Sequence, residues 1–130
     1  MPESDHAADG DGAPGKNTPR IVIIGSGMSG ILMGCSLLKA GIRSFTILEK
    51  ASTLGGTWRE NTYPGIACDV PSHNYSYTFE PNAEWSARNA GGAEIQSYFE
   101  QTADKYGVRE HIRFDTEVMR SEWSEGAWRI

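Results

Sequence analysis

Residues 20–50, RIVIIGSGMSGILMGCSLLKAGIRSFTILEK, read as a strand, a glycine turn, a helix and a second strand. Ile21-Val22-Ile23-Ile24 is a short, wholly apolar, β-branched run, the pattern of a strand buried on both faces of a parallel sheet. Gly25-Ser26-Gly27-Met28-Ser29-Gly30 follows at once. From Met28 to Ala40, Ile31, Leu32, Cys35 and Leu38 recur at helical spacing, and Gly41 stands where a glycine ends a helix. Ser44 to Leu48 reads as a second buried strand, and an acid, Glu49, closes it.

Each residue of this unit has a physical task in a dinucleotide fold. Gly25 permits the tight turn out of the strand, Gly27 lets the backbone approach a pyrophosphate, and Gly30 lets the helix lie close to the sheet. The helix N-terminus supplies free N–H groups and the positive end of its dipole to the diphosphate. Glu49, at the tip of the second strand, is placed to accept hydrogen bonds from a ribose diol and to disfavour a 2′-phosphate. The site is therefore expected to take FAD or NAD rather than NADP. Gly34 is expected to serve close packing and not a ligand.

The chain has 130 residues, about one domain, with a net charge of −5. Glu3, Asp5, Asp9 and Asp11 set against Lys16 place much of that charge in residues 1–19, an Asp-, Ala-, Gly- and Pro-rich leader expected to be disordered. Residues 20–130 form the expected dinucleotide-binding domain. They are nearly neutral and carry no footprint for nucleic acid or an anionic membrane surface. With neither a signal peptide nor a membrane-spanning run, the expected location is the cytoplasm. Cys35 and Cys68 lack the spacing of a metal or redox-disulfide site and are expected to be inert thiols.

Beyond Glu49, Ala51 to Leu54 is expected to make one helical turn before Gly55-Gly56-Thr57-Trp58. Paired glycines with an aromatic face beside them suit a ligand, and they equally suit a turn carrying a core tryptophan. Tyr63-Pro64-Gly65 marks a tight turn, and Tyr75, Tyr77 and Phe79 alternate with a strand period. Asp69, among small and apolar neighbours, is either a buried carboxylate with a task or the cap of a turn, and the residues alone favour the cap. From Ala93, the residues Ile95, Tyr98, Phe99, Thr102, Ala103 and Tyr106 follow the rhythm of an amphipathic helix closed by Gly107. Ile112 to Phe114 is expected as a third parallel strand, and Glu117–Trp123 with Ala127–Ile130 as an antiparallel hairpin turned at Ser124-Glu125-Gly126. The fold class is thus α/β: a Rossmann-type parallel sheet with an antiparallel hairpin. The last strand ends the chain at an edge, and a C-terminally truncated piece of a larger protein is expected.

The blocks Gly25–Gly30, Gly55–Trp58, Asn61–Gly65 and Cys68-Asp69-Val70-Pro71-Ser72 together resemble the flavin-containing monooxygenase superfamily. Within it they are most similar to the Baeyer-Villiger branch of the cyclohexanone and 4-hydroxyacetophenone monooxygenases. The resemblance covers roughly residues 20–130. It implies a tightly bound FAD, reduced by NADPH. Oxygen is then inserted beside a ketone carbonyl or added to a soft nitrogen or sulfur centre. By motif match, Gly25, Gly27, Ser29 and Gly30 would meet the FAD diphosphate, Glu49 the adenosine ribose, and Gly56, Thr57 and Trp58 the flavin end. Tyr75 would lie along the flavin, Val118 would meet adenine through its backbone, and Asp69 would hold an arginine near the reacting oxygen. That arginine and the NADPH motif are expected downstream of Ile130, so the chain by itself is expected to be inactive. An inert nucleotide-binding remnant and an FAD-dependent oxidase of another family are the alternative readings. Substrate and oligomeric state are not legible.

Overall fold

The computed structural model describes residues 19–130; the leader expected for residues 1–19 lies, Pro19 apart, outside the described residues. Strand β1 (Ile21–Ile24) leads through the glycine turn into helix α1 (Met28–Lys39) and back to strand β2 (Phe45–Leu48). Helix α2 (Thr57–Glu60) is a single turn, α3 (Gly92–Lys105) is the long crossover helix, and β3 (Ile112–Arg113) completes the sheet. The order is β1-β2-β3, all parallel, with Ile23 opposite Ile47 and Ile47 opposite Ile112. Strands β4 (Glu122–Ser124) and β5 (Ala127–Arg129) form a separate antiparallel hairpin.

Both long helices stop as their glycines require. Gly41 and Gly107 adopt φ of +75° and +72°, a left-handed conformation that costs a residue with a Cβ about 1–2 kcal/mol. In α1, Gly41 N–H bonds the Leu38 carbonyl and Ile42 N–H the Leu37 carbonyl; in α3, Gly107 bonds Asp104 and Val108 bonds Ala103. These are Schellman closures, which satisfy carbonyls that would otherwise be orphaned at the helix end. The hairpin turn is equally local: Glu125 and Gly126 both have positive φ, the two-residue turn whose twist matches its strands.

The core lies on one face of the sheet. Ile31 and Cys35 of α1, Ile95, Phe99 and Ala103 of α3, and Phe45, Ile47, Leu54, Val108 and Ile112 are buried together. Gly34 allows this approach, since a Cβ there would stand 2.7 Å from Val108 Cγ1. Tyr77 and Tyr98 tie the long loop to the helices: Tyr77 donates to the Met28 carbonyl at 2.6 Å, and Tyr98 to the Glu80 carbonyl at 2.7 Å.

Five expectations are corrected. Strand β1 is not buried on both faces: Val22 is 42% and Ile24 61% exposed, because α1 packs on the opposite face and no described residue covers this one. Leu32 is likewise exposed, at the margin of the apolar stripe of α1. Ala51–Leu54 is a run of bends, and the helical turn comes after the paired glycines instead. Tyr75–Phe79 forms no strand, because its amides are spent in tight turns such as Tyr75 N–H to Ser72 and Glu80 N–H to Tyr77. The alternation nevertheless reports burial, since Tyr77 stacks on Phe79 at 5.1 Å and packs against Phe99 at 5.7 Å. Finally, the first hairpin strand begins only at Glu122; residues 116–120 are irregular because Asp115 and Thr116 N–H groups bond the carbonyls of Ala51 and Glu49. Among the described residues no helix is long and apolar enough to cross a membrane.

Candidate functional site

The three glycines of the turn are glycine for different reasons. Gly25 has φ +88°, so its conformation excludes a side chain whatever the space around it. Gly30 lies in α1 with ordinary helical geometry, but a Cβ there would stand 2.0 Å from the Gly25 carbonyl oxygen, so the turn itself forbids one. Gly27 is different. Its φ is −77°, and the nearest atom to an added Cβ, Gly56 Cα, would be 3.6 Å away, an ordinary contact. The protein does not require a glycine at this position. The space in front of Gly27 opens at the N-terminus of α1, which no side chain caps and whose first turn carries no acid.

The paired glycines press against this turn. Gly55 N–H bonds the Ser26 carbonyl at 3.0 Å, and a Cβ on Gly56, itself at φ +56°, would come within 3.1 Å of Gly27 Cα. Thr57 is exposed at the start of α2. Trp58 donates its indole N–H to the Tyr75 hydroxyl at 3.1 Å, and the two rings meet edge to face at 5.7 Å. Gly25, Gly27, Gly30, Gly56, Trp58 and Tyr75 are thus joined by contacts along one end of the sheet, with Ser29 exposed on the first turn of α1.

Glu49 stands behind them, 4% exposed. One carboxylate oxygen accepts from Ser26 N–H at 2.8 Å and Ser26 Oγ at 2.7 Å; the other accepts from Ala51 N–H at 3.0 Å and Arg59 Nη1 at 3.1 Å. An ionised carboxylate offers about four lone-pair sites, and all are engaged from within the chain. Burial alone would raise the Glu49 carboxyl, but the hydrogen bonds from Ala51, Ser26 and Arg59 outweigh it and bring it from 4.5 down to about 2. Glu49 therefore clasps the glycine turn to the loop after β2. The chain beyond β3 joins the same end through Thr116 N–H, which bonds the Glu49 carbonyl and places Val118 two residues beyond that contact.

Asp69 is not brought into this cluster by any observed hydrogen bond. It is exposed on the loop after Cys68, whose own N–H bonds the Ala90 carbonyl. Cys35 and Cys68 are free and buried, and burial pushes the Cys35 thiol up to about 11, away from reactive thiolate character. The described residues contain no grouping of His, Cys, Asp and Glu that could hold a metal ion. Ser26, Arg59 and Gln96 were not singled out in the sequence. Only position could have flagged Ser26, as the variable residue of the glycine motif; Arg59 and Gln96 carry no local signal.

The model of the NAD(P)-binding Rossmann-like domain family matches residues 23–88. A Baeyer-Villiger monooxygenase of Streptomyces coelicolor is 50% identical over 104 residues, 80% of this chain and 20% of the relative. Among solved structures, an oxidized steroid monooxygenase bound to NADP superposes with a TM-score of 0.78 at 36% identity, over 84% of this chain and 22% of the other. OTEMO in complex with FAD and NADP superposes at 0.76 and 34% identity, over 83% and 21%. The chain is thus similar to a Baeyer-Villiger monooxygenase in sequence and to a steroid monooxygenase and OTEMO in structure, and it spans about a fifth of the length of the relatives it matches. By a match that extends from β1 past the paired glycines and over half of its length, the chain belongs to the family of NAD(P)-binding Rossmann-like domains.

Proposed function

We propose that this chain is the FAD-binding part of an NADPH-dependent flavoprotein monooxygenase that oxygenates ketones in the Baeyer-Villiger manner, or nitrogen and sulfur centres. The observation that carries the reading is Gly27. A glycine that neither its φ nor its neighbours demand, at an uncapped helix N-terminus, is explained by a ligand whose approach a Cβ would block. The residues present fit FAD: Gly27 and the first turn of α1 with Ser29 would hold the diphosphate, and Gly56, Thr57 and the Trp58–Tyr75 pair the flavin end. A ribose hydroxyl would reach Glu49 in place of the two donors that can rotate away, Ser26 Oγ and the Arg59 guanidinium. Val118 would meet the adenine. The relatives' names support the cofactor pair, one of them being a complex with FAD and NADP.

When bound, FAD would supply the chemistry with oxygen, taking its electrons from NADPH held by residues outside this chain. The chain's own residues would bind and orient it. The helix dipole and amides of α1 would neutralise the diphosphate, Trp58 and Tyr75 would wall off water, and Asp69 would hold a cation beside the reacting oxygen.

The test is FAD titration of the wild-type chain and of Gly27→Ala, with circular dichroism as the folding control. The variant should fold as the wild type does, since its Cβ makes only an ordinary contact. It should lose FAD affinity by at least about tenfold, through displacement of the diphosphate from the backbone. Equal FAD affinity in a folded variant refutes the assignment.

A further inference from the structure

Gln96 and Gly92 lie one turn apart on α3 and share the helix face turned to the Gly55–Trp58 loop. At Gly92 the missing side chain makes room for Ile66, whose Cγ2 a Cβ would meet at 3.1 Å, with the Trp58 ring next at 3.4 Å. At Gln96 the side chain does the opposite and fills the space that Gly55 leaves: its Oε1 stands 1.8 Å from where a Cβ of Gly55 would be. Its Nε2 donates to the Leu54 carbonyl and to Glu100 Oε1, both at 2.8 Å. Both partners only accept, so the orientation of the amide is set and Oε1 must face Gly55.

That orientation leaves Gln96 Oε1 buried with no hydrogen-bond partner among the described residues. A buried acceptor without a donor is destabilising, and the bond that offsets it is the one Nε2 makes to the carbonyl of fully buried Leu54. The amide is therefore spent on the loop that follows β2, at the cost of its own unpaired oxygen. What it uniquely does is hold the Leu54 carbonyl and seat the backbone of Gly55, a residue at φ +124° whose N–H bonds Ser26 of the glycine turn.

We infer that Gln96 is a positioning residue for the cofactor. It acts through Leu54 and Gly55 to fix the paired-glycine loop at the distance from Gly27 that the flavin half of the ligand requires. This rests on the reading that the site binds FAD with Gly56, Thr57 and Trp58 at the flavin end. Gln96 touches no part of the glycine turn that would hold the diphosphate, so its removal separates the two halves of the ligand.

The experiment compares FAD and ADP binding to the full chain, wild type and Gln96→Met, together with flavin fluorescence and the thermal midpoint of the ligand-free protein. In Gln96→Met, FAD affinity should fall about five- to tenfold, the effect of one lost hydrogen bond to a loop carbonyl, while ADP affinity stays within about twofold. Bound flavin should be less quenched by Trp58, and the ligand-free midpoint should fall modestly as the buried Leu54 carbonyl loses its donor. FAD affinity equal to wild type, or FAD and ADP weakened alike, overturns the inference, the latter showing a purely structural role. A wild-type chain that binds ADP but not FAD refutes instead the FAD reading on which it rests. If Gln96→Met fails to fold, Glu100→Ala, which frees the amide from its second acceptor one turn further along the same face of α3, should weaken FAD about twofold and spare ADP; no difference between FAD and ADP in that variant overturns the inference.

Discussion

Replacing Glu49 by glutamine keeps the shape of the side chain and removes half of what it does. The carboxylate receives four donors, two on each oxygen. An amide has a single acceptor oxygen, and its NH2 group would face a backbone donor that cannot turn round: Ala51 N–H on one side, or Ser26 N–H on the other. The shift of the Glu49 carboxyl from 4.5 to about 2 corresponds to about 3 kcal/mol of stability at neutral pH. Because the folded-state value is the lower one, this contribution is complete above pH 4.5 and lost as the pH falls towards 2. At pH 3 roughly half of it remains. Glu49→Gln should therefore lower the thermal midpoint at pH 7 by about 10 °C, at roughly 3–5 °C per kcal/mol for a domain of this size. The assay is thermal unfolding by circular dichroism of both proteins between pH 7 and pH 3. The gap between them should shrink by about half over that range, since the other depressed carboxylates, Glu80, Glu94 and Asp104, are common to both. A gap below about 1 kcal/mol at pH 7, or one that does not narrow with acid, refutes the clasp.

Gly34→Ala should destabilise by about 1–3 kcal/mol, because its Cβ would meet Val108 at 2.7 Å and Ile47 at 3.3 Å. Adding Val108→Ala should recover part of that loss, and strict additivity in the chemical-denaturation cycle would show that the close approach is not what matters. Asp69→Ala, placed in a longer protein that carries the remaining parts, should leave stability within about 0.5 kcal/mol, since the residue is exposed. It should also leave flavin content unchanged and slow oxygenation of a model ketone by on the order of a hundredfold. Loss of flavin along with activity would make it a structural residue, and full activity a bystander.

The features legible in the sequence are those whose cause is local. Gly25, Gly41, Gly107 and Gly126 stand at positive φ where the backbone must turn, so each could be read as punctuation without knowing its neighbours. The β1-turn-α1-β2 unit follows from them and from runs of the right period, and with it the candidate ligand site at the N-terminus of α1. The remaining features depend on groups far apart in the chain. Gly27 and Gly30 look alike in the motif, yet one is excluded from bearing a side chain by the Gly25 carbonyl and the other is free to bear one, a distinction made only when the turn closes. The alternation at Tyr75, Tyr77 and Phe79 told which side faces the core but not that the backbone would turn, because hydrogen-bond partners carry no period. Glu49 looked like an open acceptor. Ser26, 23 residues before it, and Arg59, ten after, fill it, and neither carries in its own neighbourhood any sign of which carboxylate it will find. Gln96 reaches Leu54 across 42 residues, in a register set by where the crossover helix comes to rest on the sheet.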